Sequence, residues 1–188
     1  MQKRANISLK DYDEFYKIKI EIIPEPNKSG KFINTPFVEH SYYHIYFNNN
    51  FNEEIERNHI LSEEKVDKIN VIIDYRAKRL KRLFDGCKCI KSISFKQFYR
   101  KDIFDMEDMF DGCASLKEID LTNYKTNYEA NMKGMFKGCS SLKSIKFNDA
   151  FNFDNIKVFS MFDGCPDELK NKIRNQFKNI DENAFGVY

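Results

Sequence analysis

A Phe-x-Gly-Cys segment recurs at a constant interval of 26 residues, and this period constrains the fold of the chain more than any other feature. Its four copies begin at Phe84, Phe110, Phe136 and Phe162. A fixed period of this length is typical of architectures in which one structural unit stacks on copies of itself. The function of such a chain is expected to lie in a surface that binds, in the positions that vary between copies.

Apolar residues at fixed positions in the copies predict a strand and a helix. The segment after each of the first three recurrent Cys residues fits L-x-x-I-x-L, as in Leu116, Ile119 and Leu121. This is the strand pattern of a leucine-rich repeat, and its last three positions alternate as a strand requires. The segments MEDMFDGC, NMKGMFKGC and VFSMFDGC place apolar residues at helical spacing, which predicts a helical turn that ends at each Gly.

The block MFDGCASLKEIDLTNYKTNYEANMKGMFKGCSSLKSIKF resembles the repeats of the BspA-like leucine-rich repeat family. Members of that family carry the pattern M-x-x-M-F-x-G-C-x-x-L-x-x-I-x-L, followed by an Asn- and Thr-rich turn. The match extends over residues 80 to 166. The resemblance implies a non-enzymatic interaction module of a kind often found in cell-surface or host-contact proteins.

The repeat frame predicts an α/β solenoid, a short right-handed superhelix of strand-loop-helix leucine-rich repeats. Residues 76–165 are expected to form the repeats, with the first helix at 76–84. Residues 1–75 are expected to form an N-terminal β-rich cap, and residues 166–188 a C-terminal helical cap. Caps are expected because stacked repeats expose their core at both ends.

Alternating apolar residues support the β-rich character of the N-terminal part. Residues 16–22, 43–47 and 69–73 each alternate apolar and polar side chains, which predicts three strands of a small antiparallel sheet on the first repeat. At the other end, Pro166 followed by apolar residues four apart predicts an amphipathic helix.

Composition narrows the class of protein. The chain has 188 residues, of which 41% are hydrophobic and 32% charged, enough apolar material for the core of one domain. A net charge of +2 does not indicate nucleic-acid binding. Residues 1–17 lack the apolar run of a signal peptide, and no segment approaches the roughly 18 apolar residues of a membrane span. We expect a cytoplasmic or otherwise intracellular protein, with a cell-surface location only if a leader is missing.

Four of the five cysteines occupy one repeat position, namely Cys87, Cys113, Cys139 and Cys165. Stacking would bring their backbones within disulfide reach, but a buried ladder of free thiols is the preferred interpretation. Zinc is the alternative suggested by Cys87 and Cys89, although structural zinc sites use Cys-x-x-Cys pairs. Cys89 stands where the later copies have Ser, and is therefore expected to be exposed.

The sequence contains few residues in patterns typical of catalytic or metal sites. His40 and His44 lie in a segment interpreted as loop and strand, where a spacing of four does not place them on one face. The recurrent Asp85, Asp111 and Asp163 could bind calcium, but are more simply solvated side chains beside the Gly. We therefore expect no enzyme activity, no cofactor and no metal site.

The positions that vary between the copies define a candidate binding surface. The x residues of the strand pattern are expected on a concave face, where Lys91, Lys117 and Lys143 would form one column. Such a column suggests an anionic partner or protection against aggregation. The candidate partner-binding residues are Lys91, Ser94, Lys117, Glu118, Asp120, Lys143, Ser144 and Lys146.

The expected function is that of a protein–protein interaction module, which binds its partner through the concave strand face or the solenoid ends. The alternative is a structural subunit of a larger protein assembly. The basic run RAKRLKR at residues 76–82 could contact phosphate or act as a nuclear signal, but such a run is more often the solvated side of a helix. Partners are thus expected to be proteins, either single or within a larger complex, and not nucleic acid.

Overall fold

The computed structural model describes residues 9–36, 40–124 and 129–186. Residues 1–8, part of the segment searched for an export signal, lie outside these ranges, as do residues 125–128 of the Asn- and Thr-rich turn. The strands are β1 (Ile18–Pro24), β2 (Gly30–Lys31), β3 (Tyr43–Phe47), β4 (His59–Ile60), β5 (Ile69–Ile73), β6 (Ile90–Gln97), β7 (Glu118–Leu121) and β8 (Ser144–Phe147). The α-helices are α1 (Leu9–Tyr16) and α2 (Asp167–Gln176), and 3₁₀ turns cover His40–Tyr42 and Glu182–Phe185.

A mixed six-stranded sheet forms the centre of the fold, with strand order β3-β5-β1-β6-β7-β8. Its first half is antiparallel: β1 pairs with β5 and β6, and β3 pairs with β5. Its second half is parallel, and Ile93, Ile119 and Ile145 stand in register on β6, β7 and β8. Every second side chain of β1, such as Ile18 and Ile20, lies on the inner side of the sheet and is buried. This alternation follows from the two-residue period of a strand.

The three predicted N-terminal strands are confirmed as β1, β3 and β5. Their position relative to the repeats differs from the expectation of a sheet laid on the first repeat. Strand β1 hydrogen-bonds along β6, so the N-terminal strands continue the same sheet edge to edge. The free edge of the first repeat strand is thereby paired.

The predicted α/β solenoid of strand-loop-helix leucine-rich repeats is wrong. The regular secondary structure of the described residues is mostly β-sheet, and their two α-helices, α1 and α2, both lie outside the Phe-x-Gly-Cys copies. Neither helix is long or apolar enough to cross a membrane. The parallel strands instead join one open mixed sheet with the antiparallel N-terminal strands.

Hydrogen-bonded turns replace the predicted helices, including the one expected at residues 76–84. In the second copy, the N–H of Asp111 donates to Asp108 and the N–H of Cys113 donates to Phe110, both over three residues at 3.1 Å. The residues two before and two after each Phe have positive φ, 54° at Asp108 and 66° at Gly112. Left-handed residues interrupt a right-handed helix, so the Gly is part of a turn and does not terminate a helix.

These turns are joined from one copy to the next by backbone hydrogen bonds. The N–H of Phe84 donates to Met109 at 2.8 Å and that of Gly86 to Asp111 at 2.7 Å, and the later copies repeat both bonds. The Phe rings stack nearly parallel, with centroids 5.3, 5.5 and 5.7 Å apart from Phe84 through Phe162. We call this series of hydrogen-bonded segments, 79–87, 105–113, 131–139 and 157–165, the turn ladder.

The C-terminal residues complete the turn ladder. Helix α2 follows Pro166 as predicted and buries Leu169 and Ile173. The chain then returns, and Phe185 stacks on Phe162 with centroids 5.6 Å apart. The N–H of Phe162 donates to Ala184 at 2.7 Å, so the last turn of the chain substitutes for a fifth copy.

All five cysteines are free and buried. In the second to fourth copies of the turn ladder the thiol donates to the carbonyl of the Phe one copy earlier, for example Cys113 to Phe84 at 3.0 Å. The expected exposure of Cys89 is wrong, since its side chain is 2% exposed. Its thiol lies under β2 and donates to the carbonyl of Lys31 at 3.1 Å.

Candidate functional site

The outer side of the six-stranded sheet carries polar residues in register. Ser94 on β6 stands beside Asp120 on β7, which stands beside Lys146 on β8. The same row continues through Glu21 on β1 to Asn70 on β5 and Tyr46 on β3. We call the part of this surface formed by β6, β7, β8 and the residues that lead into them the outer face.

The eight predicted binding residues lie in three adjacent rows of the outer face. Ser94, Asp120 and Lys146 form the first row. Glu118 and Ser144 form the second row, together with Ser92. The third row is the lysine column: the N–H of Lys117 donates to the carbonyl of Lys91, and that of Lys143 to Lys117, both at 2.8 Å.

A carboxylate that the sequence did not single out partly neutralises the lysine column. Glu25, directly after β1, accepts from the ammonium of Lys117 at 2.7 Å. This hydrogen bond is the main cause that lowers the pKa of Glu25. Lys28 of the same loop donates to the hydroxyl of Ser115 at 2.7 Å. The loop after β1 therefore reaches the entrance of β7 and removes part of the expected repulsion between stacked lysines.

The remaining lysines of the outer face are less constrained. Among the described residues, Lys91, Lys143 and Lys146 have no carboxylate within 4.0 Å, and all three are exposed. By contrast, Lys96 contacts Glu21 at 3.1 Å, and Lys68 contacts the same carboxylate at 2.8 Å. The hydrogen bond from Lys68 is the main cause that lowers the pKa of Glu21. The outer face thus has unpaired cations at both ends of the lysine column.

A groove adjoins the first lysine of the column. Its volume is about 510 Å³, and it lies between the loop after β1 and the segment from Ile60 to Asp67, with Lys91 on its wall. Glu64 on the opposite wall is held by the guanidinium of Arg57. The groove therefore extends the outer face sideways with a surface of mixed charge.

The other sequence candidates do not converge on a reactive centre. Burial raises the pKa of Cys165 to about 12 and also raises that of Cys113, which disfavours the thiolate that binds metals. Within the described ranges no three His, Cys, Asp or Glu side chains lie close enough to hold a metal ion. His44 contacts Glu54 at 3.0 Å on β3, the opposite edge of the sheet from β8.

The basic run at residues 76–82 leads into the first segment of the turn ladder, and four of its cations are paired with carboxylates. Lys78 contacts Asp102 at 3.1 Å, and Arg82 contacts Asp108 at 3.2 Å. Arg76 and Lys81 are paired in the same way, with Asp74 and Glu107. These cations therefore belong to charge pairs between neighbouring copies or loops, on a surface separate from the outer face.

Comparison with known proteins supports only the coarser part of the resemblance. No curated protein and no solved structure matches the chain. One family model matches residues 78–182, which include the four Phe-x-Gly-Cys copies and α2, without showing a leucine-rich repeat pattern. Because this match covers more than half of the sequence, the chain belongs to DUF285, a family described as Mycoplasma protein of unknown function.

Proposed function

We propose that the protein is a non-catalytic protein-binding module and that its partner is held on the outer face. The observation that supports this proposal is the convergence of the eight candidate residues. They come from three segments of the chain, yet they form three adjacent rows on hydrogen-bonded strands. Because hydrogen bonds already hold this backbone in register, it loses little conformational entropy when a partner binds.

Charge gives the outer face a preference among partners. Lys91, Lys143 and Lys146 are exposed without an ion pair in the described part of the chain, whereas Lys117 is shared with Glu25. Exposed cations attract an acidic surface and accelerate its association more than they increase its affinity. We therefore expect an acidic protein as the partner, bound more weakly as salt is added.

The size of the outer face indicates that neighbouring loops take part. Three strands about 4.8 Å apart and four residues of about 3.3 Å each cover roughly 200 Å². A standard interface buries about 800 Å² on each partner. The remaining contacts would come from β1, the loop after it and the groove beside Lys91.

Affinity measurements on lysine variants test this proposal. A partner is isolated from cells of the source organism on the immobilised protein, and its affinity is then measured in purified form. K91A/K117A/K143A should weaken binding at least about tenfold at low salt, since each exposed charge contributes up to about 1 kcal/mol. K133A/K137A/K157A removes the same charge from exposed positions of the turn ladder and serves as the matched control. An unchanged affinity of the first variant refutes binding at the outer face.

A second candidate function is that of a structural subunit in a larger assembly. Phe104 and Phe159, which lie at the turn ladder, are 56% and 50% exposed. Exposed apolar side chains indicate a contact with another subunit where they form a contiguous patch. Sedimentation velocity distinguishes the two candidates: a structural subunit self-associates with concentration and F104S/F159S abolishes this, whereas a binding module remains monomeric.

A further inference from the structure

Among the described residues, the last repeat is continued on its turn side, whereas no strand pairs with it on its strand side. On the turn ladder, Phe185 stacks on Phe162, and the N–H of Ser160 donates to Asn183 at 2.7 Å. On the strand side no further strand follows, although Phe177, directly after α2, packs edge-on against Phe147 of β8 with ring centroids 5.3 Å apart. After Cys165, where each earlier copy continues into a strand, the chain enters α2 instead. Strand β8 therefore forms one edge of the described sheet.

The backbone of this edge offers an unused acceptor in line with the lysine column. The carbonyl of Lys91 accepts the N–H of Lys117, and the carbonyl of Lys117 accepts the N–H of Lys143. Within the described ranges no backbone N–H donates to the carbonyl of Lys143. A further strand placed beside β8 would continue this series by one step.

Apolar surface is also left uncovered at β8. Ile93 and Ile119, which are covered by the next strand, are each 2% exposed. Ile145 occupies the same register position and is only partly buried. An added strand would bury the exposed part of Ile145 as β7 and β8 bury their neighbours.

We infer that β8 binds an extended acidic segment of the protein partner, which adds to the sheet as a further strand. This inference rests on the proposed function, because it specifies the chemistry and conformation of the partner. Main-chain hydrogen bonds provide affinity in such strand addition, and alternate side chains provide specificity. Acidic side chains of the added strand would meet Lys143 and Lys146, which have no carboxylate within 4.0 Å among the described residues.

A second copy of the chain fits this edge less well. Two β8 strands placed side by side would bring Lys143 and Lys146 close to the same residues of the other copy, and like charges directly across a strand pair are destabilising. Edge lysines also act as protection against unwanted pairing of edges. The lysines therefore select against a β8 edge of the same sequence and in favour of an acidic strand.

A synthetic peptide tests the inference without knowledge of the natural partner. The probe is a capped, fluorescent eight-residue peptide in which Glu and Val alternate, so that one face is acidic and the other apolar. Its anisotropy should show saturable binding at low salt. K143E/K146E should weaken binding at least about tenfold. The matched control K133E/K157E reverses two exposed lysines of the turn ladder and should change affinity less than about twofold.

Two further peptides separate strand addition from simple charge attraction. A Lys and Val peptide should not bind, and a Glu and Val peptide with every backbone amide N-methylated should lose binding, because it has no N–H left to donate to the edge. Equal binding of the methylated peptide overturns the inference. So does the absence of binding by the unmodified peptide, or an equal loss in K143E/K146E and in K133E/K157E.

The failure of this inference can be distinguished from the failure of the proposed function. If K91A/K117A weakens binding of the natural partner but the Glu and Val peptide does not bind, the outer face remains the binding surface and strand addition at β8 is wrong. If the peptide binds at β8 but the partner is insensitive to K91A/K117A and to K143E/K146E, the outer face is not the site of the natural partner.

Discussion

The column of glycines in the turn ladder provides a graded test of how closely the copies approach. Gly86, Gly112, Gly138 and Gly164 have nearly the same φ, between 66° and 71°. The space available for an added Cβ atom differs among these glycines. A Cβ added at Gly86 meets nothing within 4 Å, whereas a Cβ at Gly164 lies 3.2 Å from the Cα of Gly138. We predict that Gly164→Ala destabilises the protein considerably more than Gly86→Ala.

The expected magnitudes follow from backbone strain and from crowding. An Ala in the left-handed region costs about 1–2 kcal/mol. The loss of unfolded-state entropy offsets about 0.4–1 kcal/mol of this, so Gly86→Ala should destabilise by about 1 kcal/mol. At Gly164 the obstacle is backbone, which cannot rotate away, and overpacking adds about 1–3 kcal/mol. Gly164→Ala should therefore destabilise by about 2–4 kcal/mol.

Urea unfolding followed by circular dichroism measures this difference. Gly86→Ala should lower the midpoint urea concentration slightly, and Gly164→Ala should lower it further. The slope of the free energy of unfolding against urea concentration should stay unchanged in both variants. Gly112→Ala is an internal control, because its added Cβ lies 3.8 Å from the Cα of Gly86, an ordinary contact, and it should behave like Gly86→Ala. Equal losses at Gly86 and Gly164 would refute the close approach of the copies. No loss at Gly86 would refute the left-handed turn.

Three further predictions concern separate parts of the molecule. Ser160→Gly should raise the free energy of unfolding by up to about 1 kcal/mol in urea titrations, because Ser160 has φ 52° and Gly relieves the strain. The hydrogen bond from Arg100 lowers the pKa of Asp102 from 3.8 to about 2, so this pair stabilises the protein above pH 4 and is lost as the pH falls from 4 to 2. Asp102→Asn should reduce the fall in the free energy of unfolding between pH 4 and pH 2. It should lower that free energy by about 1 kcal/mol at pH 7, as the carboxylate is half-exposed. Phe185→Ala should lower the free energy of unfolding by about 3 kcal/mol, since it removes the last ring of the stack, whereas Phe185→Leu should cost less.

The sequence predicted the parts of the fold that depend on local periodicity. Alternation identified β1, β3 and β5, and the fixed frame identified the register of Ile93, Ile119 and Ile145. Both inferences work because a strand face must be apolar wherever it is buried.

The helices of the copies were mispredicted for a physical reason. Residues spaced by three and four, such as Met106 and Met109, lie on one side of a helix, but in the structure both are buried in consecutive turns. The distinction depends on backbone conformation at Arg82 and Asp108, which are left-handed although neither is Gly. Residue type gives little sign of this, since such conformations are held by surrounding structure.

Long-range contacts limited the prediction of the candidate site and of the caps. The lysine column followed from the frame, but its partner Glu25 comes from a loop 92 residues away in sequence. The burial of Cys89 depends on β2, which is similarly remote. Phe185 continues the ring stack although it follows Phe162 by 23 residues and not 26, so the sequence period could not reveal it.

Lysine footprinting tests the central claim, binding at the outer face, most directly. The free protein and its complex with the isolated partner are briefly acetylated, and the modification of each lysine is compared by mass spectrometry. The account predicts protection of Lys91, Lys143 and Lys146, with unchanged modification of Lys133 and Lys157 in the turn ladder. Protection of Lys133 and Lys157 with unchanged modification of the outer face would contradict it.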